Sequence, residues 1–185
     1  MLNKQSAYRL SIFLLIVLCC LLALTFYLKV NNLVINYTAS YPFGLYKKTG
    51  IDRGIRVGDW VMFCLPGNPT TRLIIERGYL LNGRCQQDHL PLIKQVYAIG
   101  GDYVAVSEHG VSINHGPVIK NTAPVLKDTK GRALPIMVSG RVQLNHYALF
   151  SEYDARSFDS RYFGAVSRDN IFTVIEPFWV LRGNL

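Results

Sequence analysis

Histidine and cysteine are scarce in this 185-residue chain, four of each. No two histidines stand at the spacing of a helical or finger-type zinc site, so neither a metal nor a cofactor is expected. There is no internal repeat and no stretch biased enough in composition to resist folding, which sets aside solenoids and disordered tails. Acidic residues are outnumbered, 12 against 20 basic, leaving a formal net charge of +8. The basic residues are scattered, and no zinc finger or interleaved basic and aromatic motif accompanies them, so no nucleic acid partner is expected. Lys29, Lys47, Lys48, Arg53 and Arg56 fall close together along the chain. They would face solvent, or an anionic lipid surface at about 1 kcal/mol per cation.

Charge is missing altogether between Leu10 and Leu28, a run that at about 1.5 Å per helical residue matches a hydrocarbon core roughly 30 Å thick. Residues 10–28 therefore form the expected transmembrane anchor, after a short tail of residues 1–9 and before a single exported domain of residues 29–185. Lys4 and Arg9 precede the run and favour a cytoplasmic N-terminus, although Lys29 follows it. A cleaved signal peptide is the rival, but Ala23-Leu24-Thr25 matches a cut site poorly. Cys19 and Cys20 lie mid-span and read as small apolar side chains.

Beyond the anchor, short segments rich in Val, Ile, Tyr and Phe, bounded by Gly, Asn and Pro, predict strands rather than helices. The expected strands are 59–64, 91–99, 103–107, 111–114, 147–151 and 171–175, with turns at Gly100-Gly101-Asp102 and His109-Gly110. The domain is thus expected to be mostly β. Its two cysteines, Cys64 and Cys85, are expected to pair in an oxidising compartment. Such a bond would stabilise the domain by roughly 3 kcal/mol in the chain-entropy picture.

In Leu92-Ile93-Lys94-Gln95-Val96-Tyr97 the alternation of a strand puts Lys94 on one face with Leu92 and Val96. Burial disfavours an ammonium, and a drop of about three units from the usual ~10.4 would leave an amine able to accept a proton. Taken alone, Lys94 could equally snorkel to water, and Ser40, near Pro42 and Gly44, could simply serve a turn.

Four segments taken together change that balance. Ser40-Tyr41-Pro42-Phe43-Gly44, Val57-Gly58-Asp59-Trp60-Val61, Lys94 to Asp102 and Ser157-Phe158-Asp159-Ser160-Arg161-Tyr162-Phe163-Gly164 occur in the order of the motifs of the type I signal peptidase family, S26. The chain resembles that family over most of the exported part. Within it, Ser-x-Pro-x-Gly is similar to the TraF-type peptidases of conjugative transfer, as are Arg77-Gly78-Tyr79-Leu80, Cys85 and Pro91 to Lys94. Ser151-Glu152-Tyr153-Asp154 departs from the Gly-Asp-Asn-Arg of general signal peptidases, so no role is carried to Asp154.

The resemblance implies an antiparallel β-sheet or barrel behind one transmembrane helix, in the bacterial inner membrane, with the domain in the periplasm. It implies a serine-lysine dyad with Ser40 as nucleophile and Lys94 as base, and Asp159 as a third catalytic residue. The Ser40 N–H and the Thr38 hydroxyl would hold the oxyanion, while Ser157 and Arg161 would support the site. The implied partner is a membrane-inserted precursor, a pilin above all, whose acyl-enzyme is resolved by water or by the pilin's own amino group. A general signal peptidase and a non-catalytic assembly protein of a pilus apparatus are the alternatives. A Ser-His-Asp triad using His89, His109, His115 or His146 is the chemical rival.

Overall fold

The computed structural model describes residues 4–38 and 40–181. Residues 1–3 of the expected tail, Ala39 beside the candidate nucleophile, and residues 182–185 lie outside the described residues.

Leu, Ile, Phe and Ala without Gly or Pro favour a helix, and α1 runs Lys4–Val30. Its stretch Tyr8–Val30 has a mean hydropathy of 2.7, is exposed except at half-buried Leu28, and is long and apolar enough to cross a membrane. Asn32, at φ 54°, ends the helix in the left-handed conformation, and the side chain of Asn31 donates back to the Tyr27 carbonyl at 2.9 Å.

The rest is mostly β, as expected. Strands β1 (Leu33–Asn36), β2 (Gly44–Gly50), β3 (Trp60–Phe63), β4 (Leu92–Ile99), β8 (His146–Phe150), β9 (Val166–Ser167) and β10 (Ile171–Val180) build a seven-stranded antiparallel sheet. Its order is β1-β2-β10-β3-β4-β8-β9, so it is an open sheet with β1 and β9 at the edges. Strands β5 (Tyr103–Ser107), β6 (Gly110–Ile113) and β7 (Gly140–Arg141) form a second, three-stranded antiparallel sheet. One core, with Val61, Phe63, Val96, Leu149 and Ile171, lies under the large sheet, while Ala98, Val104, Val111, Ala148 and Phe150 join the two sheets.

The expected strands are present with shifts of a residue or so at their ends, except that β10 continues to Val180 to pair with β2 as well as β3. Four strands, β1, β2, β7 and β9, and two α-helices had not been expected. Strand β2 reads as a polar loop because Lys47 and Lys48 stand exposed in its middle, but it is held between β1 and β10. Helix α2 (Pro69–Glu76) forms despite its Thr and Ile content. The Asn68 side chain accepts from the Thr71 N–H, Pro69 occupies the first turn, and Thr71 and Ile74 turn inward. Helix α3 (Ser160–Phe163) is one turn capped by Asp159.

Candidate active site

Ser40 sits in the loop between β1 and β2, and that loop is tied down from several directions. Asn36, the last residue of β1 and 3% exposed, directs its side-chain amide into the loop. Its Nδ2 donates to the carbonyls of Thr38 at 3.2 Å, Tyr41 at 3.1 Å and Pro42 at 3.1 Å. Its Oδ1 accepts from the Thr38 N–H at 3.1 Å and the Thr38 hydroxyl at 2.7 Å. From the other side, the Ser151 hydroxyl donates to the Ser40 carbonyl at 2.5 Å. Where the loop re-enters the sheet, Gly44 lies so close to β10 that a Cβ there would meet the Trp179 carbonyl oxygen at 2.3 Å, which accounts for the glycine of the Ser-x-Pro-x-Gly segment.

Lys94 stands in the middle of β4, opposite Val61 of β3. Alternation along the strand buries Lys94 with Val96 and Ala98, and the lysine is 2% exposed. Burial lowers its pKa from 10.5 to about 8; the Asp159 carboxylate pulls the other way, Arg161 pushes it further down, and Asp154 raises it weakly. Ser40, Thr38 and Lys94 line one cleft of about 540 Å³, whose remaining wall is largely aliphatic and includes Leu80, Leu92 and Leu28 from the last turns of α1.

The 151–164 segment backs this cleft. Ser157, 2% exposed, directs its hydroxyl at the Ser40 Oγ, 3.4 Å away. Asp159 and Arg161 are both fully buried and face each other in a two-pronged ion pair, Nε to Oδ1 at 2.8 Å and NH2 to Oδ2 at 2.8 Å. The guanidinium also donates to the carbonyls of Ser157 at 2.8 Å, Ala123 at 3.0 Å and Ala155 at 3.1 Å, and so fastens the segment. Asp159 in addition accepts from the Arg161 N–H at 3.1 Å and the Ser151 N–H at 3.3 Å. Its contacts are therefore those of an anchor behind the cleft, and it reaches Lys94 through its field. Asp154 accepts from the Arg156 and Ser157 N–H groups and shapes the turn.

Among the described residues none of the four histidines lines the cleft. His89 is buried and accepts from the Leu65 N–H at 3.3 Å, a structural contact. Cys64 and Cys85 are joined in a disulfide with Cα atoms 5.6 Å apart. The bond closes the loop that carries Tyr79, Leu80 and Leu81, and Leu90 follows that loop; all four line the cleft. Asn36 and Ser151 were not anticipated. An Asn two residues before Thr38 is too common a turn residue to stand out, and Ser151 is far from Ser40 in sequence.

Residues 6–179 match the family model described as Signal peptidase, peptidase S26. A Plasmid transfer protein TraF of Escherichia coli is 39% identical over 145 residues, covering 77% of this chain and 80% of that protein. The Probable conjugal transfer protein TraF of Sinorhizobium fredii is 40% identical over 133 residues, covering 71% of this chain and 69% of its own length. The Conjugal transfer protein TraF of Agrobacterium fabrum is 34% identical over 143 residues, with 77% and 80% covered. A signal peptidase I structure from Enterococcus faecalis covers 64% of this chain and 94% of its own at 19% identity, with a TM-score of 0.38, too slight a likeness to weigh.

Proposed function

This chain belongs to the peptidase S26 family of signal peptidases, and within it we propose a membrane-anchored serine endopeptidase that matures an exported precursor through Ser40 and Lys94. One observation carries the reading: a lysine buried among aliphatic side chains, its pKa brought down to about 8, lines the same cleft as Ser40.

In this mechanism the neutral Nζ of Lys94 takes the proton of the Ser40 hydroxyl as Oγ attacks the scissile carbonyl carbon. The oxygen of the tetrahedral intermediate gains negative charge and accepts from the Ser40 N–H and the Thr38 hydroxyl. Collapse breaks the C–N bond, the lysine returns its proton to the departing amine, and an ester on Ser40 remains. Water activated by Lys94 then hydrolyses the ester. An amino group of the bound chain attacking instead would close a ring. Ser157 orients the nucleophile, and Asp159 with Arg161 holds the segment that carries Ser157.

The relatives are named for plasmid and conjugal transfer, which favours a conjugative pilin precursor as client over the many clients of a general signal peptidase. Arg9 ahead of the apolar stretch and a disulfide in the domain favour a cytoplasmic N-terminus and a periplasmic cleft in a bacterial inner membrane. The test is processing of that precursor by the full-length protein in membrane vesicles. Wild type should shorten it, and Ser40→Ala and Lys94→Ala should leave it intact. Wild-type processing by either variant would overturn the dyad, and a wild type that leaves the precursor intact would favour a non-catalytic assembly role. Intact mass of the product then separates a hydrolysed chain from a ring, which is one water lighter.

A further inference from the structure

The side chain of Asn36 is used to capacity. An amide offers two N–H hydrogens and two oxygen lone pairs. Here three carbonyls share the hydrogens, and the N–H and hydroxyl of Thr38 take the lone pairs. Only the nitrogen can face three carbonyls and only the oxygen can face two donors, so the amide has one consistent orientation. Every one of these contacts goes to residues 38–42, the stretch that carries Ser40. With Ser151 on the Ser40 carbonyl, the carbonyls of Thr38, Ser40, Tyr41 and Pro42 are all drawn toward side chains of the protein body. Among the described residues the Ser40 N–H donates to no acceptor. The Thr38 hydroxyl, in contrast, spends its single proton on Asn36 Oδ1.

We infer that Asn36 is a positioning residue of the reaction, which turns the carbonyls of the nucleophile loop inward and sets the Thr38 hydroxyl so that the oxyanion donors face the cleft. Asn36 borders the cleft, but its side-chain hydrogen bonds all go to Thr38, Tyr41 and Pro42, and it works through Thr38 and the loop backbone on either side of Ser40. The hydroxyl of Thr38 rotates from Asn36 Oδ1 to the developing oxyanion, while the amide keeps Thr38 in place through its N–H. The inference rests on the peptidase reading given above.

The experiment uses the full-length chain in lipid vesicles with the pilin precursor of its own conjugative system, and measures kcat, KM and the melting temperature. Asn36→Ala is expected to lower kcat by about 10-fold or more with KM within about two-fold, because the loss falls on the oxyanion donors and not on precursor binding. Thr38→Val tests the coupling. If Asn36 acts through Thr38, adding Asn36→Ala to Thr38→Val lowers kcat further by no more than about three-fold, whereas independent losses would multiply. Asn36→Asp has the same size, keeps the acceptor toward Thr38 and loses the donors to the carbonyls. It is expected to fold and to lose about 10-fold in kcat, and it decides the matter if Asn36→Ala does not fold. Wild-type kcat in a folded Asn36 variant, or losses that multiply in the double variant, would overturn the inference. Ser40→Ala in the same assay keeps the two levels apart. Processing lost in Ser40→Ala but unchanged in the Asn36 variants overturns the positioning role alone. Processing that survives Ser40→Ala overturns the peptidase reading and this inference with it.

Discussion

Ser157 and Ser40, 117 positions apart in the chain, meet hydroxyl to hydroxyl at 3.4 Å. The contact is long for a hydrogen bond between hydroxyls, and in the proposed mechanism it leaves the Ser40 oxygen oriented but still free to move toward a substrate carbonyl. Ser157→Ala should lower kcat by roughly 5- to 10-fold, the equivalent of one hydrogen bond of about 1 kcal/mol, with KM unchanged. Steady-state kinetics of precursor processing would check this, and a change in KM alone would show that Ser157 contacts substrate instead.

The lowered pKa of Lys94 sets the pH dependence of both rate and stability. In the proposed mechanism the base is the neutral amine, so kcat/KM should rise as pH increases through about 8 and then level off. For stability, the folded pKa of about 8 lies below the ordinary 10.5 of the unfolded chain, so between these values the unfolded state binds more protons and stability rises with pH. Below about 8 the fold carries the full cost of a buried ammonium, about 3 kcal/mol. Lys94→Met should therefore be inactive yet more stable by up to about 3 kcal/mol at pH 7, with the advantage fading toward pH 10.5. Urea unfolding at pH 7 and pH 10 measures it; equal stability of the two proteins at pH 7 would mean that Lys94 is solvated.

Asp159→Asn separates an anchor from an acid or base. Leaving Arg161 buried without its counter-charge should destabilise the fold by about 3–5 kcal/mol. Asp159 also raises the pKa of Lys94, so its neutralisation should move the rising limb of the rate profile to lower pH while some activity survives at 20 °C or below. An unmoved profile with complete loss of activity in a folded variant would instead make Asp159 a direct participant.

The Cys64–Cys85 bond closes a loop with a sequence separation of 21. Replacing both cysteines by alanine should cost about 3 kcal/mol. Because Tyr79, Leu80 and Leu81 of that loop line the cleft, the double variant should raise KM more than it lowers kcat. Thermal melts and kinetics below the melting range test both halves.

Local chemistry made part of this visible from residues alone. Lys94 stood out because strand alternation is a period of two and its neighbours on the buried face are aliphatic, which is how β4 is in fact buried. The apolar run in α1 was equally legible, since length and absence of charge are read directly from the residues. Strand β2 was not, because its lysines face solvent and its place depends on β10, the last strand of the chain. Helix α2 carried its signals in Asn68 and Pro69, but Thr70, Thr71, Ile74 and Ile75 pull local preference toward strand. Asn36 and Ser151 became meaningful only through what they bind, a loop conformation and a residue 111 positions away.

Leu28 belongs both to the apolar helix and to the wall of the cleft. A fragment trimmed of its helix to make it easier to purify would thus be a protein with a breached pocket, and its weaker grip on a precursor would reflect missing wall as well as missing tether.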